Sequence, residues 1–226
     1  MPELPEVETI RRDLAKKLVG KKVSKVKVAK KSKPAQPSPA VFIKNLSGKK
    51  ITGINRRGKL LIFELSNNEF LLGHLKMTGQ LIYKEPQGKI IGGGHPYPKP
   101  DVGAPNIYTR ITINFHDGSN LFFNDQRLFG YMRVVDEAEK EKVLSRFGIE
   151  PLTKNFKLED FHKIFKNRKV AVKAVLLDQP KIAGLGNIYV DEACFLAQIK
   201  PNKPANKLTK AQREKLFKAI NKIIKE

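Results

Sequence analysis

Cysteine is almost missing from these 226 residues, with Cys194 the only one. Internal disulfides are thereby excluded, and so are the paired cysteines that a structural zinc site needs. Acidic residues are scarce as well: 22 against 44 Lys plus Arg, a net charge of +22. That surplus exceeds what solubility requires and points to a polyanionic partner, nucleic acid first and an anionic membrane surface second. Long apolar runs are also lacking. No stretch could span a bilayer, and no signal-peptide core follows the first residues, so the membrane reading falls away and a cytoplasmic protein is expected. Charge alone selects no function, because a ribosomal or chaperone-like binder would be equally basic.

What is present begins at the first residue. Met1-Pro-Glu-Leu-Pro-Glu-Val-Glu8 sets a proline behind the initiator methionine and crowds three glutamates around it. With Met1 trimmed, the chain would start with a secondary amine beside carboxyl groups. An α-amino group has a reference pKa of about 8 against about 10.4 for lysine, so its nucleophilic fraction at neutral pH is on the order of a hundredfold larger. Attack on an aldehyde-like carbon would give an iminium, which is an electron sink. The same residues also read as an ordinary helix start with Pro5 in the first turn.

Val7, Ile10, Leu14 and Leu18 then recur at helical spacing. From Val23 to about Val135 the texture is one of short strands, among them Leu60–Leu65, Arg110–Phe115 and Asn120–Phe123, the last two joined as a hairpin through His116–Ser119. Strands of this kind predict a β-sandwich. The Gly/Pro-rich stretch 85–106, with Gly92-Gly-Gly94, is expected to be an exposed, mobile loop. Beyond the acidic run at 136–141 the period is helical, over Leu158–Phe165, Val170–Leu177, Ile188–Ala197 and Thr209–Lys225, and Thr209 with Gln212 has capping-box spacing. The expected fold is α+β: a β-sandwich domain with an N-terminal helix over 1–135, a linker over 136–155, and a helix-two-turn-helix domain over 156–226.

Several segments could carry chemistry. Lys59, in Arg56-Arg-Gly-Lys59 before an apolar strand, could supply a proton or hold phosphate, or simply belong to a solvated basic turn. His74 and Met77 lie in Gly73–Gly79, where Met77 could fill a core gap or push between stacked bases. Arg127 and Phe129 are two apart, which in a strand puts both on one face. In Pro180–Tyr189 a glycine-bearing turn precedes a helix opening at Asn187, whose backbone N–H groups could take phosphate, with Lys169, Lys173 and Lys181 nearby.

In order and spacing, Pro2–Thr9, Arg57-Gly-Lys59, Gly73-His-Leu75 with Met77, Asp125–Gly130 and Gly184–Tyr189 resemble the formamidopyrimidine-DNA glycosylases, bacterial enzymes for oxidised purines, rather than the endonuclease VIII branch. The resemblance covers essentially the whole chain. It implies that Pro2 attacks C1′ of a damaged nucleotide, that Glu3 moves protons and helps open the sugar, that Glu6 supports both, and that Lys59 assists as proton donor and phosphate contact. It implies further that Met77, Arg127 and Phe129 fill the gap left by the extruded base, and that His74, Lys169 and Asn187 contact DNA. Arg110 stands where the family often has a DNA-contacting histidine. The implied partner is duplex DNA bearing oxidised purines or abasic sites, bound by a monomer in the bacterial cytoplasm.

One departure is the family's four-cysteine zinc hairpin, which these residues lack. No metal or other cofactor is expected from them, and zinc only if a further segment exists, so the chain reads as a fragment or a reduced member. A non-catalytic binder of damaged DNA is the competing reading, and an RNA-binding module a distant third that explains the charge but not the first residues.

Overall fold

The computed structural model describes residues 1–30, 33–96, 99 and 103–225. The chain divides into two compact units, Met1–Pro2 with Glu6–Lys142 and Glu3–Pro5 with Val143–Glu226. The fold is α+β, as expected.

In the first unit helix α1 (Leu4–Leu18) buries Val7, Ile10, Leu14 and Leu18, with Glu6 in its first turn and Lys16 and Lys17 in its last, which suits the helix dipole. Among the described residues ten strands follow: β1 (Val23–Val28), β2 (Ala35–Gln36), β3 (Ile51–Arg57), β4 (Leu60–Leu65), β5 (Glu69–His74), β6 (Gly79–Lys84), β7 (Ile90–Gly94), β8 (Thr109–Phe115), β9 (Asn120–Asp125) and β10 (Tyr131–Asp136). They form two five-stranded sheets in the orders β1-β8-β9-β6-β7 and β2-β10-β5-β4-β3. Ile111, Ile113 and Phe115 of β8 alternate inward and meet Leu61, Phe63 and Leu71 from the other sheet in one core, a sandwich. Helix α2 (Pro39–Leu46), which the strand-like texture hid, carries a serine cap at Ser38 and proline in its first turn.

Two expectations change here. Gly92–Gly94 is not loop but the end of β7, paired antiparallel to β6 at the sheet edge, Gln80 opposite Gly94 and Leu81 opposite Gly93. A Cβ on Gly93 would overlap the Ile10 side chain, so glycine lets this strand approach α1. Residues 97, 98 and 100–102 of the same stretch lie outside the described residues. Within the predicted linker, Glu137–Leu144 is helical (α3), its first turn capped by the Asp136 carboxylate, which accepts from the Glu139 N–H at 2.8 Å.

The second unit holds α4 (Leu158–Ile164), α5 (Val172–Leu177), α6 (Asn187–Leu196) and α7 (Lys210–Lys225). Phe156, Phe161, Phe165 and Phe217 pack as a ring cluster, Phe156 stacked on Phe217 at 4.7 Å. The α7 capping box forms as predicted: Thr209 N–H donates to Gln212 Oε1 and Gln212 N–H to Thr209 Oγ1, each at 3.2 Å. Helix α5 starts two residues later than its apolar period suggests. Val170 and Ala171 instead pair with the segment Lys203–Ala205. Among the described residues no helix is long and apolar enough to cross a membrane.

Candidate active site

The three glutamates that crowd the first eight residues meet three different fates. Glu6 is exposed on α1, Glu8 sits in a cluster of arginines, and Glu3 is buried at 2% exposure. The Glu3 carboxylate packs within the second unit, where it accepts from the backbone N–H groups of Gly186 (2.6 Å), Ile188 (3.0 Å) and Tyr189 (3.4 Å) at the start of α6. A helix N-terminus presents unsatisfied N–H groups and positive partial charge, so it is a natural seat for an anion. The sequence reading offers that seat to phosphate; in the structure it is filled from within. The glycines of Gly184-Leu-Gly-Asn187 make the room. Gly184 takes φ +97°, and a Cβ there would lie 2.5 Å from the Leu4 side chain, while a Cβ on Gly186 would overlap the Glu3 carboxylate. Leu4 N–H donates to the Gly184 carbonyl at 3.1 Å, completing the dock.

Pro2 is buried and belongs to the first unit, as does Lys59, at 6% exposure. Lys59 is the second residue of the two-residue turn joining β3 to β4, and Gly58 supplies the positive φ of +55° at the first. So Lys59 is no solvated surface lysine. Arg56 braces the turn, donating from Nη1 to the Gly58 carbonyl at 2.9 Å and from Nε to Glu8 at 3.1 Å. Glu8 also takes Arg11 at 2.8 Å and Arg12 at 2.7 Å. Burial pushes its carboxyl upward, but these three guanidinium groups outweigh burial and hold it down to about 2. The pairing of Glu8 with these arginines could not be read in the sequence, because an ion-paired glutamate on a helix has no local signature.

Met77, in the turn joining β5 to β6, and Phe129, in the turn joining β9 to β10, are exposed apolar residues, 41% and 54% accessible. Arg127 and Phe129 do not share the face of a strand. They lie in a turn in which Leu128 takes φ +61°, and the Arg127 guanidinium stacks over the Phe129 ring at 4.8 Å. His74 ends β5, its ring 5.9 Å from that of Tyr131. Its Nδ1 accepts from the Lys76 N–H at 3.0 Å. Burial, with the nearby charges of Lys76 and Lys59, lowers its pKa to about 3. His74 is thus a neutral imidazole at physiological pH, able to hydrogen-bond but not to act as a cation. Arg110 is half-buried, with Nε donating to the Asp125 carbonyl at 2.8 Å.

In the second unit Asn187 and Lys169 are exposed. Lys173 and Lys181, expected beside them as phosphate contacts, are instead held by Asp191 and Asp178. A further cleft of about 230 Å³ in the first unit runs along α1, with Ile10, Leu14, Leu81 and Ile91 inside, Glu6, Thr9 and Asp13 around it, and the backbone of Gly92–Gly94 as its wall. A zinc ion does not fit the residues present. Cys194 is fully buried in α6 with its thiol pushed up to about 11, mainly by burial, and among the described residues no group of three or more His, Cys, Asp or Glu could hold a metal.

Comparison with known proteins matches two family models, the formamidopyrimidine-DNA glycosylase N-terminal domain over residues 1–132 and the formamidopyrimidine-DNA glycosylase H2TH domain over residues 147–226. The formamidopyrimidine-DNA glycosylase of Protochlamydia amoebophila is 38% identical across the whole chain, which covers 76% of that protein. That of Ligilactobacillus salivarius is 40% identical over 97% of the chain, again 76% of the relative. Among solved structures, Lactococcus lactis Fpg in complex with abasic-site DNA superposes with a TM-score of 0.85 at 32% identity, over 99% of this chain and 77% of that one. The same protein bound to N7-benzyl-Fapy-dG DNA gives 0.85 as well.

Proposed function

The chain belongs to the formamidopyrimidine-DNA glycosylase family, and from that premise we propose that it excises formamidopyrimidines and 8-oxoguanine from duplex DNA and then cuts the strand. With Met1 removed, the Pro2 nitrogen attacks C1′ of the damaged nucleotide. The glycosidic bond breaks and its electron pair leaves with the base, which takes up a proton. Glu3 moves a proton to the sugar ring oxygen as the C1′–O4′ bond opens, leaving an iminium between Pro2 and C1′. That cation acidifies the neighbouring C2′–H, so β-elimination expels the 3′ phosphate and δ-elimination the 5′ phosphate. Lys59 supplies a proton and a phosphate contact, and Glu6 supports Pro2 and Glu3.

Met77, Arg127 and Phe129 enter the gap left by the extruded base, an extrusion that costs a few kcal/mol. His74, Arg110, Lys169 and Asn187 contact the duplex, Asn187 through its side chain, since the α6 N–H groups of Gly186, Ile188 and Tyr189 already serve Glu3.

The observation that carries this reading is the Glu3 seat. A buried carboxylate held by three backbone N–H groups, one residue along the chain from the proposed amine, is fixed more rigidly than a surface glutamate could be. A protein that merely binds damaged DNA need not retain Pro2, Glu3 and Lys59, all three of which this chain carries. The test is borohydride trapping on a duplex with 8-oxoguanine opposite cytosine. Wild type should give a covalent protein–DNA adduct, and Pro2→Gly and Glu3→Gln should give little or none. No adduct with wild type, or equal adducts with the variants, sinks the enzymatic reading in favour of the binder. A duplex with a preformed abasic site separates lost base excision from lost strand cleavage.

A further inference from the structure

Two crossovers between the sheets leave the sandwich side by side. One joins β5 to β6 through residues 75–78 and carries Met77; the other joins β9 to β10 through residues 126–130 and carries Arg127 and Phe129. They are neighbours because β5 pairs with β10 and β6 with β9, with Gly79 opposite Asp125. Asp125 is fully buried at that junction. Its Oδ1 accepts from the Thr78 hydroxyl and from the Arg127 N–H at 3.2 Å, its Oδ2 from the Gly130 N–H at 2.7 Å, and Thr78 Oγ1 accepts from the Arg127 N–H at 3.0 Å. One carboxylate therefore ties both turns together. Each turn also holds a non-glycine residue in the left-handed region just before its exposed apolar side chain, Lys76 (φ +50°) before Met77 and Leu128 (φ +61°) before Phe129. Side chains persist there only when their surroundings impose it. Gly130 closes the arrangement, since a Cβ on it would come within 2.8 Å of Phe123, 2.9 Å of the His74 carbonyl and 3.1 Å of Asp125 Oδ2.

We infer that Asp125, acting through Thr78, is a positioning residue that locks Met77 and the Arg127–Phe129 pair into one pre-set wedge before DNA arrives. The inference rests on the proposed entry of those three side chains into the duplex. Ordering them in advance removes an entropic cost from base extrusion. Thr78→Val keeps the shape and removes one hydroxyl, while Asp125→Asn gives a donor where only acceptors fit.

The experiment uses a duplex with a stable abasic-site analogue opposite 2-aminopurine, whose fluorescence rises when it is unstacked, titrated to saturation with each protein. Wild type and Thr78→Ser should give the full rise, whereas Thr78→Val and Asp125→Asn should saturate at a lower amplitude, because one lost hydrogen bond moves the balance between inserted and withdrawn side chains by roughly fivefold. Thermal melting confirms that each variant is folded, and if Asp125→Asn is not, Thr78→Val decides. Full amplitude from a folded Thr78→Val, or a wild type that binds with no fluorescence change, overturns the inference. The glycosylase reading is tested apart from it, because borohydride trapping can fail while the amplitude pattern holds, or succeed while the amplitudes are equal.

Discussion

Glu3 and Glu8 lie five positions apart and are held by opposite means. The helical unit seats Glu3 on neutral backbone N–H groups at the start of α6. The sandwich unit seats Glu8 among three guanidinium groups. A helix terminus offers about half a charge, yet its donors are already ordered and lose no side-chain entropy when the carboxylate arrives. Arginines offer full charges but must be immobilised, and added salt screens whatever part of them faces water. On the proposed function the backbone seat fixes a carboxylate for chemistry, whereas the arginine seat fixes a framework, since Arg56 also braces the Lys59 turn through the Gly58 carbonyl.

Removing the charge at the backbone seat should have the largest effect. Glu3→Gln is expected to slow base excision by about 10²–10⁴-fold in single-turnover assays, the usual worth of a positioned acid/base, and to lower the melting temperature by several degrees, because both carboxylate oxygens accept from N–H groups and the new amide NH2 would face one of them. Next comes the seat itself. Gly186→Ala would force the Glu3 carboxylate off the α6 terminus, so excision should fall by roughly 10²-fold, and the protein should melt lower still than Glu3→Gln, because all three N–H groups then lose their acceptor.

At the arginine seat the order reverses, with stability suffering more than rate. Glu8→Gln should cost about 1–2 kcal/mol in urea unfolding at neutral pH, below the full value of its pKa shift because the site is partly exposed to water, and should change excision by no more than about threefold. Acid sharpens the same contrast. Glu8 has its pKa lowered from 4.5 to about 2, so the stability it adds is complete above pH 4.5 and is lost as pH falls towards 2. Glu8→Gln should flatten that limb of the unfolding curve.

His74 has the smallest effect at neutral pH and shows itself earlier on acidification. It is a base whose pKa drops from 6.5 to about 3 on folding, so the unfolded chain binds the extra proton first and stability declines as pH falls from 6.5 towards 3. His74→Gln should remove the part of the decline between pH 6.5 and 4.5. If the slope there is unchanged, the imidazole is not held neutral.

These contrasts also mark where the sequence could be read. Strand β4 was legible at both ends because Leu60–Leu65 is one apolar run, and the start of α7 because Thr209 and Gln212 are a local pair. Helix α1 was equally plain from its period. Strand β7 was not, because glycine has no strand preference of its own; it is held there by β6 and by the closeness of Ile10. Arg127 and Phe129 do lie together, guanidinium over ring, but a spacing of two cannot tell a strand face from a turn that Leu128 bends back on itself. The Glu3 seat left no trace to read. Its glycines look like any helical-hairpin turn, and their partner lies 183 residues away.

That separation has a consequence for how the protein is made. Glu3 and Leu4 leave the ribosome among the first residues, yet their places in the helical unit exist only once Gly184–Tyr189 has been synthesised. At about 5–20 residues per second the interval is roughly 10–40 s. Throughout it the sandwich strands can pair while the start of α1 waits undocked. The end that carries the proposed nucleophile therefore docks late, and until then a nascent chain holds its carboxylate without the seat that fixes it.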